Sequence, residues 1–121
     1  MDIDQTVELQ MRAWNTDDPG DRIRLLELAC TLDATFTSPV DAVAGLGRLS
    51  EQIGEFRREF PAAVVSASAI QAHHGYARWH WLTDWNDGRE PLSGEDFADL
   101  TADGHIARIV TFWHSAPEVA G

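Results

Sequence analysis

Leu92-Ser93-Gly94-Glu95-Asp96-Phe97-Ala98-Asp99-Leu100-Thr101, then Ala102-Asp103-Gly104, then His105-Ile106-Ala107-Arg108-Ile109-Val110-Thr111-Phe112-Trp113-His114: this stretch decides the fold. Asp-Gly between two runs of strand-forming residues is a strong hairpin signal, because a tight turn needs positive φ and glycine adopts it without a Cβ clash. Side chains alternate along a strand, so Leu92, Gly94, Asp96, Ala98 and Leu100 share one face while Ser93, Glu95, Phe97 and Asp99 share the other. A turn that pairs Ala102 with His105 sets Asp96 opposite Thr111 and puts Ile109 and Trp113 on the same side. Asp96 then stands as the sole carboxylate in an apolar surround.

Working back from this hairpin, Tyr76 to Trp85 and Val64 to Ala72 also read as strands, separated by His74-Gly75 and Asp87-Gly88. Everything before Pro61 reads differently. Leu46, Leu49, Ile53, Phe56 and Phe60 recur at intervals of three and four, which predicts a helix that Pro61 ends. Arg57-Arg58 near its end suits the helix macrodipole and is read as a solvated terminus. Asp33 to Ser38 is β-branched and aromatic, and Pro39 halts it as a short edge strand. Ile3, Val7, Met11 and Trp14 predict a first helix, and Ile23, Leu26 and Cys30 a second, with Asp18 or Asp21 as its cap. Helices first and a meander last imply an α+β domain in which three N-terminal helices pack on one face of a curved antiparallel sheet, leaving a cone with an internal pocket.

The composition bounds the function. A chain of 121 residues fits one domain, expected over 1–116, with a tail at 117–121 expected to fray. The net charge of −11 argues against nucleic acid and anionic membranes as partners. The start Met1-Asp2-Ile3-Asp4 lacks a signal-peptide pattern and no segment is apolar enough to span a bilayer, so a cytoplasmic protein is expected. The lone Cys30 reads as a buried small hydrophobe. His73, His74 and His114 complete no ligand set with a spaced carboxylate or cysteine, so neither metal nor other cofactor is expected.

The run Asp33-Ala34-Thr35-Phe36-Thr37-Ser38-Pro39-Val40 with Gly45, then Gly94-Glu95-Asp96-Phe97, Asp103-Gly104-His105-Ile106 and Phe112-Trp113, resembles the nuclear-transport-factor-2-like superfamily in its SnoaL-like and ketosteroid-isomerase-like branch. The resemblance covers nearly the whole chain. It implies that Asp96 falls where those isomerases lend a hydrogen bond to a developing oxyanion. It puts Trp14 at the position of their helix-one tyrosine and Ser38 at that of their proton-shuttling aspartate. An indole donates a hydrogen bond but exchanges no proton, and a serine is no general base without a partner. Asp41 is the nearby carboxylate, read as a solvated turn residue. The resemblance also implies a homodimer through the outer sheet face, where Phe97, Val110 and Phe112 form an apolar patch with Asp99 opposite Arg108.

The neighbour of Asp96 depends on the turn at Asp87-Gly88, since a slip of one residue flips a whole strand. If the turn centres on Gly88, His80 lies opposite Asp96, giving a His-Asp pair of base and acid. If Asp87-Gly88 is a two-residue turn, His80 faces Glu95, and Trp79 and Trp81 flank Asp96. The second register makes the more amphipathic sheet; the first fits the family comparison, and it carries His80 forward as the candidate base. Trp14, Phe36, Ser38, Phe56, Trp79, Trp81 and Trp113 are the candidate ligand contacts. Two functions follow. One is an isomerase- or polyketide-cyclase-like enzyme acting on a small apolar, polycyclic or keto-bearing molecule; the other is a noncatalytic ligand-binding or dimerisation module.

Overall fold

The computed structural model describes residues 1–115, so the expected frayed tail at 117–121 lies outside the described residues. Three helices, α1 (Ile3–Trp14), α2 (Pro19–Ala29) and α3 (Leu46–Glu59), accompany six strands. The strands are β1 (Cys30–Thr37), β2 (Ala42–Ala44), β3 (Val64–His73), β4 (Tyr76–Asp84), β5 (Leu92–Leu100) and β6 (Ile106–Trp113). They form one sheet in the order β2-β1-β6-β5-β4-β3.

Local chemistry explains the helix ends. Asp2 accepts from the Gln5 N–H at 2.9 Å and the Gln5 side chain accepts from the Asp2 N–H at 3.1 Å, a reciprocal cap that satisfies two otherwise unpaired donors of α1. Asp18 caps α2 through the Asp21 N–H at 2.8 Å, and Pro19 opens the helix where no N–H is needed. Before α3, Gly45 has φ of 87° while its N–H donates to the Ala34 carbonyl at 2.8 Å, a conformation a side chain would strain.

Two expectations change. The sheet is mixed, because β1 runs parallel to β6, with Thr35, Phe36 and Thr37 beside Arg108, Ile109 and Val110. Nor is β1 the edge: β2 pairs outside it, Phe36 beside Val43, after a turn through Pro39. Pro39 thus ends the strand as expected but opens a hairpin.

The helices bury Val7, Met11, Leu26, Leu49 and Ile53 against Trp79, Ala98, Ile106 and Ile109 of the sheet. Two buried arginines tie the helix layer together. Arg22 donates to the carbonyls of Thr16, Asp17 and Ser50 at 3.1, 2.9 and 2.9 Å. Arg57, expected in solvent, is instead buried; it donates to Asp17 Oδ1 and to the Pro61 carbonyl, each at 2.8 Å, and to the Ala63 carbonyl. Each guanidinium thus joins oxygens of the α1–α2 loop to oxygens of α3 or of the segment just past it. Asn15, just past α1, reads β3 as a strand would: its amide donates to the Val65 carbonyl at 2.8 Å and accepts from the Val65 N–H at 2.7 Å.

Gly94 marks the tightest approach in the sheet. A Cβ there would lie 1.9 Å from the Phe112 carbonyl oxygen and 2.6 Å from the Trp81 ring, so Trp81 lies flat across β5 because residue 94 has no side chain. Gly94→Ala is expected to destabilise by roughly 3 kcal/mol or more, the upper range for overpacking. Gly47→Ala, where nothing lies within 4 Å on an exposed face of α3, is expected to stabilise by about 0.5–1 kcal/mol. Urea unfolding of both variants checks the pair; a mild effect at position 94 would mean that Trp81 does not lie over it.

Candidate functional site

A cavity of about 290 Å³ opens between the helix layer and the sheet. Trp14 from α1, Phe36 from β1, and Phe56 and Phe60 from α3 meet Trp81 from β4, Leu92 and Asp96 from β5 and Trp113 from β6 around it. The aromatic rings touch in sequence. Trp14 lies 5.6 Å from Phe36 and 5.5 Å from Phe56, Phe56 lies 5.8 Å from Phe60, and Phe60 lies 4.7 Å from Trp85, within the range where offset and edge-on aromatic pairs attract. At the rim the Arg89 guanidinium sits 4.7 Å over Phe60 and 4.8 Å over Trp85 and pairs with Asp87.

The register of β4 against β5 decides what faces this space. Trp79 pairs with Asp96, His80 with Glu95 and Trp81 with Gly94. This is the register of the shorter turn, although the connection is a loop over 85–91 and not a tight two-residue turn. Burial selects it. A tryptophan can hide about 150–250 Å², worth roughly 4–6 kcal/mol at about 25 cal/mol per Å², and the alternative would expose two of them while burying Arg78 and His80.

His80, the expected base, therefore does not line this cavity. It lies on the outer face, its Nε2 is 3.0 Å from Glu95 Oε1, and its ring is 5.8 Å from that of His114. Trp79 is also removed from the ligand contacts: it is fully buried in the core, behind the cavity wall. Trp14, Phe36, Ser38, Phe56, Trp81 and Trp113 do line the cavity.

On the other hairpin, Asp96 stands opposite Thr111 as expected, with Ala98 beside Ile109 and Gly94 beside Trp113. The route differs. Thr101, not Ala102, bonds to the His105 carbonyl, and the pairing shifts by one between Asp99–Arg108 and Leu100–Ile106. That irregularity restores the register at Asp96.

Asp96 is 3% exposed. Thr111 Oγ1 donates to its Oδ1 at 2.6 Å. The Trp79 indole N–H faces the carboxyl and favours its ionised form, but its geometry falls short of a hydrogen bond. Neither offsets the loss of water. A hydrogen bond to a charged group contributes about 1.5–3 kcal/mol, whereas burying an ionised carboxylate costs several. Burial thus pushes the carboxyl up to about 7, against the pull of Thr111 and Trp79. Among the described residues that line the cavity Asp96 is the one ionisable side chain, so the site can offer a neutral acid and aromatic surface.

Sequence reasoning missed several walls. Phe60 and Trp85 were legible as aromatic residues but not as neighbours, and Thr83 and Val65 follow from strand alternation once the register is known. Gln52 carried no signal, because a polar residue on a helix reads as solvent-facing. Asp41 is exposed, as expected, and does not line the cavity.

No protein-family model and no curated protein matches the chain. Solved structures do. A candidate isomerase of the SnoaL-like family from Agrobacterium tumefaciens superposes with a TM-score of 0.82 at 22% identity, covering 91% of this chain and 95% of that one. An NTF2-like protein of unknown function from Cytophaga hutchinsonii gives 0.71 at 12% identity over 93% and 90% of the two chains. A candidate SnoaL-like polyketide cyclase from Jannaschia sp. gives 0.69 at 14% over 92% and 86%. At such identities the likeness is one of architecture: three helices on a curved sheet around an aromatic cavity make this a chain of the nuclear-transport-factor-2-like fold.

Proposed function

We propose that the cone holds an uncharged, flat, carbonyl-bearing molecule and that Asp96, protonated, donates a hydrogen bond to the carbonyl oxygen. One observation carries this reading: a buried carboxyl whose ordinary acidity is lost to desolvation is, among the described residues, the one ionisable group on the walls of an aromatic cavity. A neutral acid binds and polarises a carbonyl without repelling it, and the bond strengthens as the oxygen gains charge. A group titrating near neutrality also takes and returns protons with similar ease. In an isomerase- or cyclase-like proton transfer Asp96 would supply the acid at the carbonyl oxygen; Ser38 is a hydroxyl and His80 lies outside, so the proton beside the carbonyl would pass to water or to a basic group of the substrate itself. The kinds of protein that share the fold support this reading. The proposed chemistry needs no cofactor, and the lone buried Cys30 suits a reducing compartment such as the cytoplasm.

Quenching of tryptophan fluorescence provides the test, because Trp14, Trp81, Trp85 and Trp113 line the cavity. Tetralone is expected to bind about tenfold tighter than tetralin, which lacks the carbonyl, and Asp96→Ala is expected to erase that preference. Equal binding of the two compounds by the unaltered protein would remove Asp96 as a donor.

The pH dependence has a definite sign. A folded-state value of about 7 lies above the ordinary value, so the native state holds an extra proton between about pH 4 and about pH 7, and stability falls as pH rises through that window. The shift bounds the loss at about 4 kcal/mol. Asp96→Asn never ionises, so its stability relative to the unaltered protein should rise across the same window and level off above about pH 7. Urea unfolding near pH 4 and near pH 8 measures this; a difference independent of pH would return the carboxyl to its ordinary acidity.

We also propose a homodimer through the outer sheet face. Phe97 packs edge-on against Phe112 at 5.7 Å, both rings are exposed, and Arg108 bonds to Asp99 at 2.8 Å beside them. Sedimentation at micromolar concentration is expected to show a dimer, and Phe112→Asp a monomer with unchanged tetralone binding. A monomer in both cases would remove the proposal.

A further inference from the structure

The cavity has a second polar fixture, on the helix side. Gln52 of α3 lines it, and its Nε2 donates to Asp41 Oδ2 at 2.9 Å across the protein surface. Asp41 itself is held by the turn between β1 and β2, where its Oδ1 accepts from the Ala42 N–H at 2.8 Å and its carbonyl accepts from the Ser38 N–H at 2.9 Å. A carboxylate accepts hydrogen bonds and does not donate them, so the amide nitrogen must face Asp41. The amide oxygen is thereby left on the other side, where Gln52 Oε1 is buried without a partner. A buried acceptor with no donor is a standing deficit that an incoming hydroxyl or N–H relieves. Of the hydroxyls on the cavity wall, Ser38 Oγ accepts from the Val40 N–H at 3.3 Å and Thr111 donates to Asp96.

We infer that Gln52 Oε1 accepts a hydrogen bond from the ligand, so that the cone selects an uncharged hydroxy-carbonyl compound, phenolic or enolic, with its carbonyl at Asp96 on the sheet and its hydroxyl at Gln52 on α3. The inference rests on the reading of Asp96 as carbonyl donor. It adds a specificity-determining residue, Gln52, and a positioning residue, Asp41, which acts through Gln52 from outside the cavity. Because α3 and β5 form opposite walls, the two polar groups fix the long axis of a flat ligand and leave the aromatic rings to grip its faces.

Fluorescence titration with the positional isomers of hydroxytetralone, each beside its fluorotetralone counterpart, tests this. Fluorine matches the hydroxyl in size but donates nothing. At least one hydroxy isomer is expected to bind about tenfold tighter than its fluoro partner, the fold-change of one well-made hydrogen bond. Gln52→Met is expected to abolish that preference, read as the hydroxy-to-fluoro affinity ratio within the variant so that a change in cavity shape common to both compounds cancels. Asp41→Ala frees the amide to turn and is expected to lower the preference several-fold, again read as the hydroxy-to-fluoro ratio within the variant. A preference that survives Gln52→Met overturns the inference, and one that survives Asp41→Ala alone removes the positioning role. If Asp96→Ala retains the preference for tetralone over tetralin, the reading of Asp96 fails while the hydroxyl preference is judged by Gln52→Met. Failure of every compound to bind at millimolar concentration overturns both.

Discussion

One pairing, β4 against β5, governs the interior. Strand side chains alternate, so a single register decides whether the cone is lined by indole and hydroxyl groups or by a histidine, an arginine and a leucine. The observed register turns Trp79, Trp81 and Thr83 inward and sends Arg78, His80 and Leu82 to the outer face. Everything chemical about the cavity follows from that choice. With cations kept out, the Asp96 carboxyl has no opposite charge to lean on, and desolvation sets its state. Gly94 serves the same choice, since Trp81 needs the space that a side chain at 94 would take.

The polar groups of the helix layer obey the opposite logic. Arg22 and Arg57 are buried where oxygens surround them: Arg22 meets the carbonyls of Thr16 and Asp17 after α1 and that of Ser50 within α3, and Arg57 meets Asp17 and the carbonyls of Pro61 and Ala63 just past α3. Asp96 receives a full hydrogen bond from Thr111 alone and stands near neutrality. Within one small domain the count of partners separates structural charge from a titratable site.

Much of the fold was legible in the sequence. Ile3 to Trp14 and Leu46 to Phe60 carry a clear helical period, and glycines at 75, 88 and 104 divide the later strands to within about two residues of their observed ends. The pairing of β1 with β6 was not, because hydrophobic periodicity is local and says nothing about which distant strand lies alongside. Nor was β2, whose three residues are too few to show any period. At the site, Asp96 and its partner Thr111 emerged from a single hairpin, whereas His80 was misplaced because seven loop residues between β4 and β5 leave the register free of turn geometry. Arg57 and Gln52 show a further boundary: both sit on a helix face where sequence predicts water, yet Arg57 is buried against the loops after α1 and α3 and Gln52 is held at the cavity rim by Asp41 of the β1–β2 turn, partners that the period of the helix does not describe.

The parallel contact of β1 with β6 has a kinetic side. It joins Thr35 to Arg108, so most of the chain must be arranged before the two strands can meet. Closing so long a loop costs entropy that no local contact repays, and architectures dominated by such pairings fold slowly for their size. The helices and the β3-to-β6 meander can form from near neighbours, but Phe36 reaches its wall only when β1 docks. The binding chamber is thus complete only when this long-range pairing is made, and an occupant that fits it would stabilise the paired state over any state in which β1 has left β6.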